Sequence, residues 1–170
     1  MSAKTKVIQQ LLTLLGFSGV ATSCEFVGAP EYGCPSADYV FNVEVKDVAT
    51  DTPIQGIRVG AVNRYKQQVY NPITGAYEPT GVIVADTLSA SYTSNSGKAT
   101  IKYTGFPTNN HEIVAVDVDG DKNGGTFAPA SVELFISHDD YEDGDGNWHE
   151  GTATTDVTIK LSRQEPQSEE

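Results

Sequence analysis

Side-chain oxygens recur at every second residue in one acidic stretch of the second half of the chain. The stretch comprises Asp117, Asp119, Asp121 and Asn123. Calcium takes about six to eight oxygen ligands, and this spacing is typical of calcium loops. The EF-hand pattern is not met, because Lys122 takes the place of its glycine and Ala128 that of its bidentate glutamate. Asn123-Gly124 also favours a tight turn between strands, so a calcium loop and a solvated hairpin both remain open.

A second acidic segment, residues 139–150, offers Asp143 and Asp145 as further ligands. If the two segments converge, a divalent cation would relieve the repulsion between their carboxylates. Ca²⁺ is thus a candidate cofactor, although no cofactor is required. The same segment places Trp148 near Tyr141. An exposed aromatic plane suits the apolar face of a sugar, and the alternative is a ring that folds back onto the edge of the fold.

The remaining chemically active side chains lack the arrangement that catalysis needs. Residues 137–139 have the residue types of a catalytic triad, but neighbours on a strand point to opposite faces and a triad is assembled from separated segments. The three histidines, His111, His138 and His149, lack the spacing of a zinc site. We therefore expect no enzymatic activity.

The charge of the chain opposes nucleic acid as a partner. It has 23 acidic and 11 basic residues, a net charge of −12. Lys4 and Lys6 precede Cys24, so the chain from Cys24 onward carries 9 − 23 = −14. Binding to phosphates requires lysine and arginine to replace counterions.

The N-terminus predicts an exported protein with a lipid anchor. Lys4 and Lys6 are followed by a short apolar stretch that ends in Ala21-Thr22-Ser23-Cys24, as in a secretory signal covering residues 1–23. The stretch is too short and interrupted for a membrane span. Its end resembles a lipobox, in which the cysteine, here Cys24, receives the lipid after cleavage. A soluble amphipathic helix, and a disulfide between Cys24 and Cys34, are the alternatives.

Residues 24–37 are rich in glycine and proline and predict a tether. From residue 38 onward apolar and polar residues alternate in short runs separated by turn residues, which predicts about seven strands of an all-β, two-sheet sandwich over residues 38–161. The continuous apolar run at 113–116 predicts a central strand covered on both faces. Residues 162–170 are polar and predict a disordered acidic tail. The alternating sets are Tyr39, Phe41, Val43 and Val45; Ile57, Val59 and Ala61; Leu88, Ala90 and Tyr92; Ala99, Ile101 and Tyr103; Val132, Leu134 and Ile136; Val157, Ile159 and Leu161.

The chain resembles the transthyretin-like or carboxypeptidase-regulatory-like sandwich, an Ig-like architecture. The segments that carry this resemblance are VEVKD at 43–47, PIQGIRV at 53–59, SGKATI at 96–101 and IVAV at 113–116.

More narrowly, the chain is similar to the family of radical SAM-associated lipoproteins. The matching segments are LLGFS at 14–18 with Cys24, EYG at 31–33, PI at 53–54, DVDG at 117–120 with NGG at 123–125, GDG at 144–146 with Trp148, and VTIKL at 157–161. This resemblance implies a neighbouring radical SAM enzyme as a partner or maturase and establishes no activity for the chain itself.

We therefore expect a non-enzymatic lipoprotein of the cell envelope, in the periplasm or at the outer membrane, whose loops bind a protein or polymer. A substrate of the radical SAM enzyme, modified at Cys34, is the second hypothesis. A carbohydrate- or calcium-binding module is the third, and a metal-dependent hydrolase that uses the acidic loops is the fourth. Asp86-Thr87-Leu88 also resembles a short O-glycosylation acceptor, which makes Thr87 a candidate modification site.

Overall fold

The computed structural model of the chain describes residues 33–164. The predictions for the signal, for Cys24, for most of the tether and for residues 165–170 lie outside this range. One compact unit begins at Pro35, and Gly33 and Cys34 are the described residues of the unit before it. None of the helices described is long and apolar enough to cross a membrane.

Eight strands make up the fold, and they arise where small polar turns separate runs of alternating side chains. The described helical structure is confined to two 3-10 turns, Lys122–Gly124 and His138–Asp140. The strands are β1 Ser36–Asp47, β2 Arg58–Asn71, β3 Ala76–Tyr92, β4 Lys98–Gly105, β5 Asn110–Val116, β6 Ala130–Phe135, β7 Tyr141–Glu142 and β8 His149–Leu161.

The strands form two four-stranded sheets, in the orders β4-β1-β8-β7 and β3-β2-β5-β6. β1 and β8 pair in parallel, and the other pairs of neighbouring strands are antiparallel. The predicted two-sheet sandwich is therefore confirmed, with seven longer strands and the two-residue β7.

Alternate residues of β1 form the centre of the core. Tyr39, Phe41, Val43 and Val45 are buried, whereas the residues between them face outward. The opposite sheet contributes smaller and β-branched side chains, which fit a half-buried pleated surface. The buried side chains from that sheet include Val59, Ala61, Ile113 and Ala115.

The apolar run at 113–116 is not covered on both faces. β5 lies inside its sheet, between β2 and β6, and Ile113 and Ala115 are completely buried. Val114 and Val116 point the other way and are half-buried, because the outer face of this sheet carries only neighbouring side chains among the described residues. The run is central in the sheet but buried on one face.

The alternation in β3 faces the opposite way from a core strand. Ser89 and Ser91 lie opposite Ala61 and Val59 and share their inward face, so Leu88 and Tyr92 are exposed. The buried β2 residues fix the register, and a one-residue shift would invert both faces. The apolar set of β3 therefore marks an outer surface.

β2 and β3 continue beyond the sandwich as a two-stranded hairpin, which we call the arm (residues 63–86). β5 pairs with β2 only from Arg58 to Val62, so beyond that point no further strand of residues 33–164 pairs with the arm. Almost all of its residues are exposed, including Ile73 near the tip, whose side chain is 93% exposed. The sequence did not predict this element.

The sandwich extends past its predicted end at Leu161. Arg163 Nε donates to the carboxylate of Asp47 over 2.8 Å, and Gln164 N–H donates to the carbonyl of Thr126. Asp47 is only 1% exposed, so this ion pair gives a partner to a buried charge. The first three residues of the predicted tail are thus part of the folded unit, and β1 begins two residues before the predicted boundary.

We predict that Ile113→Ala destabilises the domain far more than Val114→Ala. The first removes a fully buried side chain and leaves a cavity, at a cost of about 2–5 kcal/mol. The second removes a half-buried side chain from the outer face, at a cost of about 1 kcal/mol or less. Urea unfolding of both variants measures the difference, and equal losses of unfolding free energy would show that both faces of β5 are covered.

Candidate functional site

Four side chains line up in one row across the first sheet. Tyr103 of β4 lies opposite Tyr39 of β1, Tyr39 opposite Ala153 of β8, and Ala153 opposite Tyr141 of β7. Because Ala153 is small, the Tyr39 and Tyr141 rings meet across it with centroids 6.0 Å apart. The Tyr39 and Tyr103 rings stack at 5.0 Å. Together with Phe41 and His111 these three tyrosines form what we call the aromatic cluster.

His111 of β5 joins the second sheet to this row. Its ring centroid is 4.4 Å from that of Tyr39. Its Nε2 lies 2.8 Å from the carbonyl oxygen of Thr108, which can only accept, so Nε2 carries the hydrogen. Nδ1 of the neutral ring is then an acceptor, and the Tyr103 hydroxyl donates to it over 2.7 Å. Both ring nitrogens are thereby committed.

The Tyr39 hydroxyl closes the network. It donates to the carbonyl of Phe106 at 3.1 Å and accepts the backbone N–H of Thr108 at 2.9 Å. Its second lone pair accepts the hydroxyl hydrogen of Tyr141, 3.0 Å away. Among the described residues no buried side-chain nitrogen or oxygen lacks a hydrogen-bond partner. The cluster therefore fixes the turn between β4 and β5 to the sheet.

The electrostatics keep this network neutral. Burial lowers the pKa of His111, and the hydrogen bond to the Thr108 carbonyl opposes this only in part. Burial raises the pKa of Tyr103, and burial with the Tyr39 hydrogen bond raises the pKa of Tyr141. A catalytic base needs a free acceptor within reach of a substrate proton. His111 has none, so the cluster acts as a structural network.

A cleft of about 380 Å³ opens beside the cluster, at the base of the arm. Its wall is mainly apolar and includes Val62 and Leu88 from the arm side and Phe106 from the turn, whose side chain is 65% exposed. Tyr103 and His111 form its floor. This cleft is the candidate binding site, because it joins exposed apolar side chains to a rigid floor.

The acidic residues of the β5–β6 loop hold the loop itself. One Asp117 oxygen accepts the backbone N–H groups of Asp119 and Gly120, and the other accepts that of Phe127 at 2.9 Å. Asp119 accepts a hydrogen bond from the Asn123 amide, and Asp121 one from the Thr126 hydroxyl. These oxygens satisfy the chain, as in a solvated hairpin. Asn123 itself lies in the left-handed region, with φ of 56°.

In the second acidic loop, Asp145 accepts the backbone N–H groups of Asn147 and His149, and these bonds lower its pKa. Asp143 also adopts a left-handed conformation, with φ of 60°. Across residues 33–164 no group of three histidine, cysteine or acidic side chains is placed to hold a metal ion. Calcium binding remains a prediction, which melting in millimolar calcium against EDTA, with a magnesium control, would test.

The two aromatic candidates for sugar binding lie in different surroundings. Tyr141 directs its hydroxyl into the aromatic cluster, whereas Trp148 is 38% exposed beside the start of β1. A second cleft, of about 390 Å³, lies in this loop, and His138 Nδ1 and a Glu150 carboxylate oxygen meet in it at 3.1 Å. Sugar binding by Trp148 and Tyr141 stays a prediction.

The two candidate modification sites are both accessible. Cys34 is exposed and precedes β1. Thr87 is exposed on β3, opposite Val62 at the base of the arm. Exposure does not show that either residue is modified, so both modifications stay predictions.

No family model and no curated protein matches the chain. Several solved structures resemble it in part, and three of them illustrate the range. Klebsiella pneumoniae 5-hydroxyisourate hydrolase is 14% identical, with a TM-score of 0.38. The match covers 75% of this chain and 92% of the hydrolase. The major pilin subunit of Bacillus cereus is 11% identical over 75% of the chain, with a TM-score of 0.37. A group B streptococcus pilus 2b backbone protein is 14% identical over 73% of the chain, also at 0.37.

The chain spans 31% and 40% of the lengths of these two pilins. Likenesses this weak carry no argument about activity or partners. The sandwich architecture rests on the strand pairing itself. The resemblance to radical SAM-associated lipoproteins stays a prediction.

In the sequence, His111 entered only the argument against a zinc site. Its position in the aromatic cluster was not predicted. The signal that could have found the cluster is that Tyr39 and Tyr103 each fall among the inward-facing residues of their alternating strands. Large aromatic rings with hydroxyls need polar partners when buried. Which partner they find depends on the pairing of strands far apart in the chain, and the spacing of residues does not give it.

We predict that His111 makes the domain less stable as the pH falls through about 6.5. Its pKa is lower in the folded than in the unfolded chain, so the unfolded chain binds more protons in that range and folding loses up to about 1.4 kcal/mol per pH unit. His111→Gln keeps a donor for Thr108 and an acceptor for Tyr103 but does not titrate. Urea unfolding from pH 8 to pH 5 should show a shallower pH dependence for the variant.

His138 and His149 are unchanged in this variant and serve as the internal control. Parallel curves for wild type and His111→Gln would mean that the buried imidazole is not held neutral.

Proposed function

We propose that the chain is an exported, lipid-anchored β-sandwich that binds a partner at the cell envelope and has no catalytic role. The single observation that carries this proposal is the cleft at the base of the arm. Its surface is mainly apolar, with Leu88 and Phe106 exposed among the threonine and asparagine side chains of its rim, and the one histidine in its floor has both nitrogens bonded within the protein. Such a surface offers contact area and shape but no free acid, base or nucleophile.

The anchor is supported by the sequence of the N-terminus and by the length of the tether. From Cys24 to the first residue of β1, Ser36, is 36 − 24 = 12 residues. An extended chain of that length spans about 40 Å at most. A lipid on Cys24 would therefore keep the sandwich within about one domain diameter of the membrane.

A radical SAM enzyme is the finer proposal for a partner, and it rests on the family resemblance alone. Cys34 is the residue that such an enzyme would reach, since it is exposed and precedes the first strand. A thioether or crosslink at this cysteine would change the mass of the mature chain. An envelope glycan is a further candidate partner, and the exposed indole of Trp148 favours it.

We predict that Cys24→Ser releases the protein from the membrane fraction of its native host. Acyl chains contribute about 0.8 kcal/mol per buried CH₂, and several are needed for stable anchoring. Wild type should take up labelled fatty acid and sediment with membranes, and the variant should do neither. Intact mass of the mature wild type should show cleavage before Cys24, and it also reports any modification of Cys34.

Cys34→Ser is the matched control, since it removes the other thiol and should leave the protein membrane-bound. A Cys24→Ser protein that still sediments with membranes would disprove the anchor. An unmodified Cys34 would disprove the radical SAM proposal and leave the anchor proposal unchanged.

A further inference from the structure

Among the described residues the arm has two edges without a partner strand, and only one of them carries bulges and a proline. On β3, the residues 80–82 bulge out opposite the single residue Gln67, and Leu88 is an extra residue between the pairs Val62–Thr87 and Ala61–Ser89. Pro79 lies on the same strand and has no N–H to donate. Bulges and proline are the usual means of protecting an edge strand from pairing.

The β2 edge has neither a bulge nor a proline, and its charged side chains are Lys66 and Arg64, the latter bonded to Glu112 of β5. Residues 63–71 contain no proline or glycine, and both register shifts fall on β3. The carbonyl groups of Ile57, Gln67 and Asn71 all bond on the β3 side. Because alternate residues of a strand direct their backbone groups to opposite sides, the even-numbered residues present theirs to the free edge. These residues are Arg64, Lys66, Gln68 and Tyr70.

The arm also differs from the body in charge and in exposed apolar surface. Its charged residues, Arg64, Lys66, Glu78 and Asp86, sum to zero, whereas the chain from Cys24 carries −14. Two bodies therefore repel each other and two arms do not. Seven large apolar side chains of the arm are exposed: Tyr65, Val69, Tyr70, Ile73, Tyr77, Val82 and Ile83.

We propose that the β2 edge of the arm pairs antiparallel with the same edge of a second copy of this chain. A two-fold axis through Gln67 pairs the whole free edge, 63–71, with its copy. In this register Lys66 lies opposite Gln68, and Arg64 lies opposite Tyr70. The two-fold axis repeats both pairs, and each of the four resulting pairs exchanges two backbone hydrogen bonds, up to eight in all. On the other face Tyr65 lies opposite Val69, a favourable aromatic and β-branched pair.

Charge selects this register over its neighbours. Moving the axis to Lys66 places two lysines directly opposite each other, and moving it to Tyr65 places Arg64 opposite Lys66. Like charges directly opposite destabilise a strand pair. Moving it to Gln68 brings in Pro72 and shortens the pairing. The inference concerns the arm alone and does not depend on export, anchoring or the cleft.

The test uses the full chain with Cys24→Ser and Cys34→Ser, so that acyl chains and native thiols do not contribute. Sedimentation should show a monomer–dimer equilibrium. Gln68→Lys places a second lysine opposite Lys66 at two symmetric positions and should weaken the dimer about tenfold. The matched control Ala76→Lys adds the same charge to the same arm on β3 and should have no effect. Adding Lys66→Glu to Gln68→Lys turns the repulsion into an ion pair and should restore the dimer.

A cysteine on the axis tests the register directly. Gln67→Cys places two thiols on a non-hydrogen-bonded pair with Cα atoms about 4.5 Å apart, within disulfide range. In Tyr65→Cys the two copies are about 14 Å apart along the strands and should not crosslink. A chain that stays monomeric, a Gln68→Lys variant that dimerises like wild type, or equal crosslinking at both positions would each overturn the proposal.

Discussion

The parallel pairing of β1 with β8 holds the rest of the structure together. It joins the first strand to the last along the whole length of β1, from the Ser36 N–H bonded to the Trp148 carbonyl to the Val48 N–H bonded to that of Leu161. Since β1 also pairs with β4, three distant segments must meet before its inward residues can be buried. Such contacts carry a large loop-closure cost and form late in folding. The core is therefore specified cooperatively, with no local unit that is stable alone.

The aromatic cluster follows from this pairing. The same register that sets Ala153 beside Tyr39 brings Tyr141 within reach of the Tyr39 hydroxyl, two strands away. Three phenols and an imidazole in one apolar environment would be costly if any were left unpaired. Here each hydrogen has an acceptor, so the cluster stabilises one arrangement of the two sheets. The cleft at the base of the arm takes its floor from this arrangement.

The sequence predicts those strands whose two faces differ in environment. Residues 39–45, 57–61 and 157–161 alternate because one face is buried and the other is solvated, and these strands lie where the alternation indicates. The alternation of Leu88, Ala90 and Tyr92 has the same form, but β3 is an edge strand whose register is fixed by β2. The local sequence pattern shows that side chains alternate between two faces of a strand. Which of those faces points into the core is set by the partner strand.

The arm could not be predicted for a related reason. Both of its faces and both of its edges are in solvent, so no burial pattern marks it. The acidic loops show the opposite limit: their spacing suggested ligands, whereas Asp117 and Asp145 accept backbone N–H groups of their own loops. A carboxylate that accepts backbone N–H groups keeps further lone pairs, so spacing alone does not distinguish a loop that holds itself from one that also binds calcium.

The stability of the arm has to be explained by interactions other than burial. An isolated two-stranded hairpin is marginal in water. This one is rooted in the sandwich, and at its tip the Tyr70 and Tyr77 rings meet across the strands at 5.4 Å, while Asn71 bonds to Glu78. Cross-strand pairs contribute about 0.2–1 kcal/mol each, whereas the seven large apolar side chains that stay in water add little stabilisation through burial. The buried polar side chains of the sandwich are hydrogen-bonded within the protein, whereas the arm leaves backbone groups of its edges and large apolar side chains exposed. That division of the chain is understandable if the arm is completed by a second polypeptide.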